Sequence, residues 1–239
     1  MQMNDHLRKS VVRPNIWISW SSGKDSAFAL YELLRQSEFE VTGLMTTINE
    51  AFGRVAMHST REELLVKQAE EIARPLVRIK IPYPCANEIY EKQVNESIDE
   101  AKRKGVTHMM FGDLFLDDIR KYREEMLRPT GITPVFPLWQ RQTKRLAVEM
   151  IESGFKAIVT CVDPRQLSPS FAGREFDESF LRNLPLGVDP CGERGEFHTF
   201  VYDGPIFRNP IKIKVGEIVA RDGFVFADVM PFHPMEDQT

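Results

Sequence analysis

The sequence predicts an α/β fold, a doubly wound parallel sheet followed by a smaller C-terminal α+β subdomain. Three observations carry this expectation. From Asn15 to Val162, short β-rich runs alternate with longer amphipathic stretches. The run Ser19–Ser26, SWSSGKDS, puts small residues and one lysine where the first strand passes into the first helix. Beyond Asp163, prolines and glycines thicken and the regular alternation fades.

The elements follow in order. Asn15–Trp20 (NIWISW) reads as a buried strand, and Asp25–Gln36 as a helix with Phe28, Leu30, Leu33 and Leu34 on its apolar side. A strand near Glu40–Ile48, a helix near Thr60–Ala73 and a strand near Pro75–Ile81 come next. A helix over about Ala86–Lys104 stops before Gly105, as a C-terminal glycine predicts. A strand at Thr107–Leu114 leads to a helix at Asp117–Leu127, which Pro129 follows as a stop signal. A strand at Pro134–Trp139 and a helix near Thr143–Ser153 lead into Lys156–Val162. Such alternation implies right-handed crossovers with helices on both faces. Later β-like runs are Phe197–Tyr202, Ile211–Val215 and Gly223–Val229. The expected division is a tail over 1–14, a nucleotide-binding sheet domain over 15–163 and a substrate-side subdomain over 164–239.

Composition narrows the function classes. The 239 residues suit one core of ordinary size plus an appendage. With 42% hydrophobic and 28% charged residues, the chain has a globular rather than a disordered composition. Lys and Arg total 31 against 35 Asp and Glu, a net charge of -4, so there is no general basic field for nucleic acid. No apolar run reaches the length of a bilayer span, and Met1–Arg13 lacks the apolar core of a secretory signal. Cys85, Cys161 and Cys191 cannot form a fully paired disulfide set, and their spacing is not that of a metal site. The expectation is a cytoplasmic protein without nucleic-acid or membrane partners. A homodimer is compatible with the sequence.

The loop after the first strand carries the chemistry. In an open α/β sheet, ligands bind outside the carboxyl ends of the strands. Ser21, Ser22, Gly23 and Ser26 let backbone N–H groups approach an anion, and the helix N-terminus adds its positive end. Lys24 brings a compact positive charge, and Asp25 either holds Mg²⁺ or caps the helix. Two familiar phosphate loops fail here. G-x-x-x-x-G-K-[ST] lacks its first glycine and has Asp25 after the lysine, and G-x-G-x-x-G does not occur.

The string resembles the SGGKDS pyrophosphate loop of the N-type ATP pyrophosphatases, of the adenine nucleotide alpha hydrolase superfamily, with Ser22 in place of the first glycine. Further strings are similar to the diphthine–ammonia ligase family. They are RVAMHSTREELLVKQAE at Arg54–Glu70, Gly112–Asp113 after the fourth strand, FPLW at Phe136–Trp139, and DPCGERGEFHTFVYDGPIF at Asp189–Phe207. The resemblance covers about residues 15 to 208. It implies a HUP-type, Rossmann-like sheet that binds ATP and Mg²⁺. It also implies a ligase that adenylates a carboxylate, releases pyrophosphate and amidates the adenylate with ammonia. On this resemblance, Ser21, Ser22, Gly23, Lys24, Asp25 and Ser26 bind phosphate and Mg²⁺, with His58 and Gly112 near the nucleotide. Gly192, Glu193, Gly195 and Glu196 face the α-phosphate and substrate, with Lys24, Glu193 and Glu196 as the catalytic set. Arg120, or its neighbour Arg123, reaches phosphate or substrate.

Each residue also has a plainer reading. Glu193 and Glu196 are alternatively solvated turn residues, and His58 alternatively caps the helix near Thr60. His198 reads as an exposed strand residue, Trp139 as core, and the arginines of Asp117–Arg128 as a solvated face. The chain departs from the family on the acceptor side. DLFLDDIRKYREE replaces a segment with serine and Tyr-Gln, and ERGEFHT stands for EGGEYET, so Arg194 and His198 are new. The resemblance is therefore to a bacterial-type subgroup, which implies retained ATP chemistry with a different acceptor, a small carboxylic acid before a protein side chain. Two alternatives remain beside the ligase. A tRNA-modifying ATP pyrophosphatase would bring cysteine pairs and a basic region, and a non-catalytic nucleotide-binding protein of the universal-stress type would not need the Gly-Glu-x-Gly-Glu segment. No glutamine-hydrolysing domain is visible, so ammonia is expected from solution or from a separate protein.

Overall fold

The computed structural model describes residues 12–55 and 58–232. The expected tail over 1–14 lies almost wholly outside them. Strand β1 (Asn15–Ser19) is buried on both faces. Ile16 and Ile18 point to one side and Trp17 to the other, as the two-residue period of a strand dictates. Its parallel neighbours are β2 (Glu40–Asn49) and β5 (Val106–Met110). Strand β4 (Leu76–Ile81) adds in parallel beyond β2, and β6 (Thr133–Val135) beyond β5. The parallel order is therefore β4-β2-β1-β5-β6, and the winding reverses between β1 and β5. A two-residue antiparallel strand, β3 (Arg54–Val55), pairs with the end of β2 through Ile48↔Val55. It is too short to leave a sequence pattern.

Helices cover both faces, as expected. On the Ile16 side lie α1 (Lys24–Gln36), α2 (Glu62–Ile72) and α5 (Thr143–Glu152), through Phe28, Leu30, Leu65, Ala69, Leu146 and Met150. On the Trp17 side lie α3 (Asn87–Arg103) and α4 (Asp117–Leu127), through Val94, Ile98, Ala101 and Leu127. Each fully buried Val, Leu, Ile, Phe or Met among them is worth roughly 1.5–3 kcal/mol, so these few contacts suffice to dock otherwise polar helices. Gly105 has a φ of +74°, the left-handed conformation expected just past the end of α3.

The second part is a four-stranded antiparallel sheet of β7 (Lys156–Val162), β8 (Phe197–Asp203), β9 (Ile213–Arg221) and β10 (Phe224–Pro231), in the order β8-β7-β10-β9. This corrects one expectation. Lys156–Val162 continues the β-α rhythm in sequence, yet it pairs with β8 and β10 rather than joining the parallel sheet. A continuous apolar run fits any buried strand, and its partners come later in the chain. A short helix, α6 (Glu178–Asn183), is capped by Asp177 Oδ1, which accepts from the Phe180 N–H at 2.7 Å. Its Phe180 meets Phe176 and Phe197 edge-on or tilted within the same core cluster as α1, so the two sheets share one hydrophobic interior. Among the described residues, no helix is long and apolar enough to cross a membrane.

Candidate nucleotide site

The loop from β1 into α1 opens at the reversal point, opposite the loop that follows β5. Gly23 is the N-cap of α1 and carries no side-chain cap, so the first-turn N–H groups beyond that of Lys24, which Thr199 accepts, are left for what enters the cleft. Ser22 sits at φ +69°, a left-handed conformation that glycine adopts freely and serine does not. Its surroundings hold it there. The Ser22 hydroxyl shares a 2.8 Å hydrogen bond with that of Thr60, and its carbonyl accepts from the Gln68 amide at 3.0 Å and the Val201 N–H at 3.0 Å. Ser21 and Ser26 share a hydroxyl–hydroxyl bond of 3.0 Å, and the Lys24 N–H donates to Thr199 Oγ1 at 3.1 Å. The second sheet thus fixes the loop from above. Gly112 fixes it from the side, because a Cβ there would lie 2.9 Å from the Ser26 nitrogen and 3.0 Å from the Asp25 carbonyl carbon.

Lys24 is only 2% exposed. Its ammonium donates to both Asp25 oxygens, at 2.9 and 3.1 Å, and to the Cys191 carbonyl, and lies 5.2 Å from the Phe197 ring centre. Burial alone would favour the neutral amine, but the Asp25 carboxylate outweighs it and keeps the pKa above the ordinary lysine value. The lysine therefore ties the phosphate loop to the 189–196 loop as well as bordering the cleft.

Glu193 projects from that loop toward the end of β5. Its Oε1 accepts from the Leu114 N–H at 2.7 Å and the Phe115 N–H at 3.3 Å. Burial, with the Asp25 and Asp113 carboxylates nearby, pushes its pKa up to about 7. Asp113 is also raised, by burial and by Asp25. Its Oδ2 has no hydrogen-bond partner, and neither does Arg123 Nε, 3.8 Å away.

Several expected site residues take other positions. Glu196 does not face the cleft. It is 2% exposed, and its two oxygens accept from the Asp189 and Arg194 N–H groups, each at 2.9 Å, so it braces its own loop. Gly195 forms the turn of that loop at φ +83° and does not border the cleft, whereas Gly192 does. Arg120 points away, bonded to Glu124 at 2.7 Å and lying over the Phe136 and Trp139 rings. Arg123, one helical turn on, borders the cleft instead. His198 is half-buried, its ring 4.5 Å from that of His58, and burial with His58 and Lys24 nearby holds its pKa well below the usual imidazole range. Sequence reasoning underrated Asp113, Arg123 and His198. Asp113 follows the carboxyl end of the strand beside β1, the one signal that could have promoted it.

These residues border two adjoining cavities. One, of about 230 Å³, is lined by Ser21, Lys24, Asp25, Asp113, Glu193 and Thr199 among others. The second, of about 380 Å³, is lined by Met45, Thr46, Ile79, Tyr90, Phe111 and Met126 among others. Ser19, Ser21, His58, Phe111 and Arg123 border both. The first is polar and lies at a helix N-terminus. The second is the more apolar of the two, though Thr46, Thr47, His58 and Arg123 also line it, and the buried Thr46 hydroxyl lacks a hydrogen-bond partner. A divalent cation fits the first: three mutually repelling carboxylates and the orphaned Asp113 Oδ2 call for positive charge. Among the described residues no group of three or more His, Cys, Asp or Glu could hold a metal unaided.

A phosphate-type loop opposite a second loop where the strand order reverses is the site architecture of doubly wound α/β nucleotide-binding proteins. The family model for the diphthamide synthase N-terminal domain matches residues 15–134, and that for the diphthamide synthase C-terminal domain matches residues 142–229. The chain belongs to the diphthamide synthase family. It is 30% identical over 176 residues to the diphthine–ammonia ligases of Bos taurus and of Homo sapiens, covering 67% of this chain and 66% of each relative. It is 27% identical over 219 residues to that of Schizosaccharomyces pombe, covering 83% of this chain and 36% of the relative. The chain thus spans just under two thirds of the bovine and human relatives.

Proposed function

We propose that the protein is an ATP-dependent ligase that activates a carboxylate as its adenylate and converts it to an amide with ammonia. The observation that carries this reading is the pair of joined cavities at the strand reversal, one polar at the α1 N-terminus and one apolar. In the reading, the pyrophosphate portion of ATP lies against Ser21–Ser26, the nucleoside enters the apolar cavity beside Thr46, and the α-phosphate sits at the shared border. Family membership and the names of the relatives support ligation with ammonia.

The chain's own groups suit the two half-reactions. A carboxylate oxygen attacks the α-phosphorus, the bond to the bridging α–β oxygen breaks, and pyrophosphate leaves. Lys24 and the α1 N–H groups stabilise the charge on the departing pyrophosphate. Asp25 and Asp113 would hold Mg²⁺, which when bound neutralises phosphate charge. Ammonia then attacks the acyl carbon, AMP leaves, and one N–H proton must be removed. Glu193 is the candidate base, since a carboxyl titrating near neutrality is matched to that task. Glu196 and Gly195 serve as positioning residues, by holding Glu193 and the Cys191 carbonyl in place.

The acceptor is proposed to be a small carboxylic acid. The reading is tested with ATP labelled at the α-phosphate, incubated with ammonium and a panel of acids. Labelled AMP and pyrophosphate are expected, dependent on both co-substrates, and ADP as product would refute the reading. Lys24→Ala should reduce turnover by about 100-fold or more, the scale of losing one preorganised charge contact to the transition state.

A further inference from the structure

A third cavity lies beyond the histidine pair and is not used by the reading above. It occupies about 200 Å³ between the β2–β3 turn and the β9–β10 hairpin. Its walls are aromatic: Phe52, Tyr83, Phe224 and Phe226, with the Arg221 guanidinium 5.0 Å from the Phe52 ring centre and 5.1 Å from that of Phe226. Polar side chains share its walls. Arg221 pairs with Asp222 at 3.6 Å, and the Tyr83 hydroxyl meets Asp222 at 3.4 Å. Arg54, also on the wall, is already engaged by Asp228 and the Ser59 carbonyl. Cys161, also lining it, is a buried thiol.

The inner end is where this cavity gains a role. Val55 borders both it and the apolar nucleoside cavity, and His198 borders both it and the polar cleft. His58, its ring 4.5 Å from His198, borders the other two. The aromatic chamber therefore adjoins the junction at which the α-phosphate would lie, with Val55, His58 and His198 at the boundary. A molecule filling the chamber would direct its inward end at that junction. Four rings favour a flat apolar body, through offset and edge-on ring contacts. The small volume, below the usual range for drug-sized ligands, limits that body to about one substituted ring.

We infer that the aromatic chamber is the acceptor site and takes a free carboxylic acid with a flat apolar body, its carboxylate turned inward past His198 and His58 toward the nucleotide. The inference rests on the ligase reading and names its substrate class.

The experiment uses the full chain with Mg²⁺, ATP and ammonium, and compares 3-phenylpropionate, its primary amide and acetate as probes. Binding is followed by ligand-observed NMR, and turnover by pyrophosphate release. The proposal expects saturable binding of phenylpropionate, and a kcat/KM for it at least about tenfold above that for acetate. Phe52→Ala and Phe226→Ala should each weaken binding by about tenfold, with thermal unfolding recorded as the check on folding. Phe52 is 43% exposed, so its variant tests the site even if Phe226→Ala fails to fold.

The outcomes separate the two readings. Ring-dependent binding without pyrophosphate release keeps the site and sinks the ligase reading. Equal use of acetate and phenylpropionate, or an unchanged KM in Phe52→Ala, overturns the site and leaves the ligase reading standing. Equal binding of the amide overturns the inward carboxylate. Release only with a carboxylate presented on a protein overturns the free acid as acceptor.

Discussion

At the scale of single residues, the site is a set of charges that the fold keeps together against their mutual repulsion. Lys24 is held by Asp25 and a backbone carbonyl, whereas at Glu193 burial and two nearby carboxylates outweigh the backbone donors. The result has a testable sign. Glu193 titrates near 7 in the folded protein against an ordinary value of 4.5, so the folded state holds its proton where the unfolded state has lost it. Protons bound in excess by the native state mean that stability falls as pH rises through that window. Glu193→Gln keeps an acceptor for the Leu114 N–H and removes the titration. Wild type without nucleotide or divalent cation should therefore lose stability relative to Glu193→Gln as pH rises from 4.5 to about 7, with a constant difference above. Urea midpoints collected across that range check it, and parallel pH curves for the two proteins would refute the assignment.

At the scale of elements, two loops from non-adjacent strands must meet closely to make the cleft. Gly112 permits it, because a methyl group there would press on backbone atoms of Asp25 and Ser26, which cannot swing aside as a side-chain tip can. Gly112→Ala should therefore separate the end of β5 from the start of α1. We expect a loss of about 1–3 kcal/mol of stability, the usual range for overpacking, and a larger proportional loss of ATP affinity. Calorimetric binding beside thermal unfolding measures both, and unchanged affinity would show that the approach is not needed. Elements of this kind were legible in the sequence where the cause was local. The Ser19–Ser26 loop, Asp117–Leu127 and the stop before Gly105 follow from turn residues and helical spacing. Arg120 and Arg123 lie three residues apart on one helix, and periodicity could not say which reaches the cleft, since that depends on how α4 packs against β6. Glu196 was misplaced for a like reason: its backbone partners belong to the fold of its own loop, not to the Gly-Glu spacing.

At the scale of the whole molecule, the parallel sheet and the antiparallel sheet are not independent. One core cluster runs from Ile16 and Phe28 to Phe180, Phe197 and Ala227. The buried Gln68 spans the join. Its Oε1 accepts from Trp20 Nε1 at 2.9 Å, and its Nε2 donates to the carbonyls of Ser22 and Val201, the latter at 2.6 Å on β8. One side chain thus connects the first strand, the phosphate loop and the second sheet. Gln68→Leu retains the volume but strands the indole N–H and the Val201 carbonyl, groups that cost about 1–3 kcal/mol each when buried without a partner. The expected total is about 3 kcal/mol, large against the 5–15 kcal/mol of a typical domain. If the two sheets form one cooperative unit, indole fluorescence, which reports Trp17, Trp20 and Trp139, all ahead of the second sheet in the chain, should follow the same urea curve as the whole-chain circular dichroism. Gln68→Leu should move both curves to lower urea by the same amount. A fluorescence transition that separates from the dichroism in wild type would mean that the sheets unfold singly. The nucleotide loop would then be held by its own domain, not by the clasp across the join.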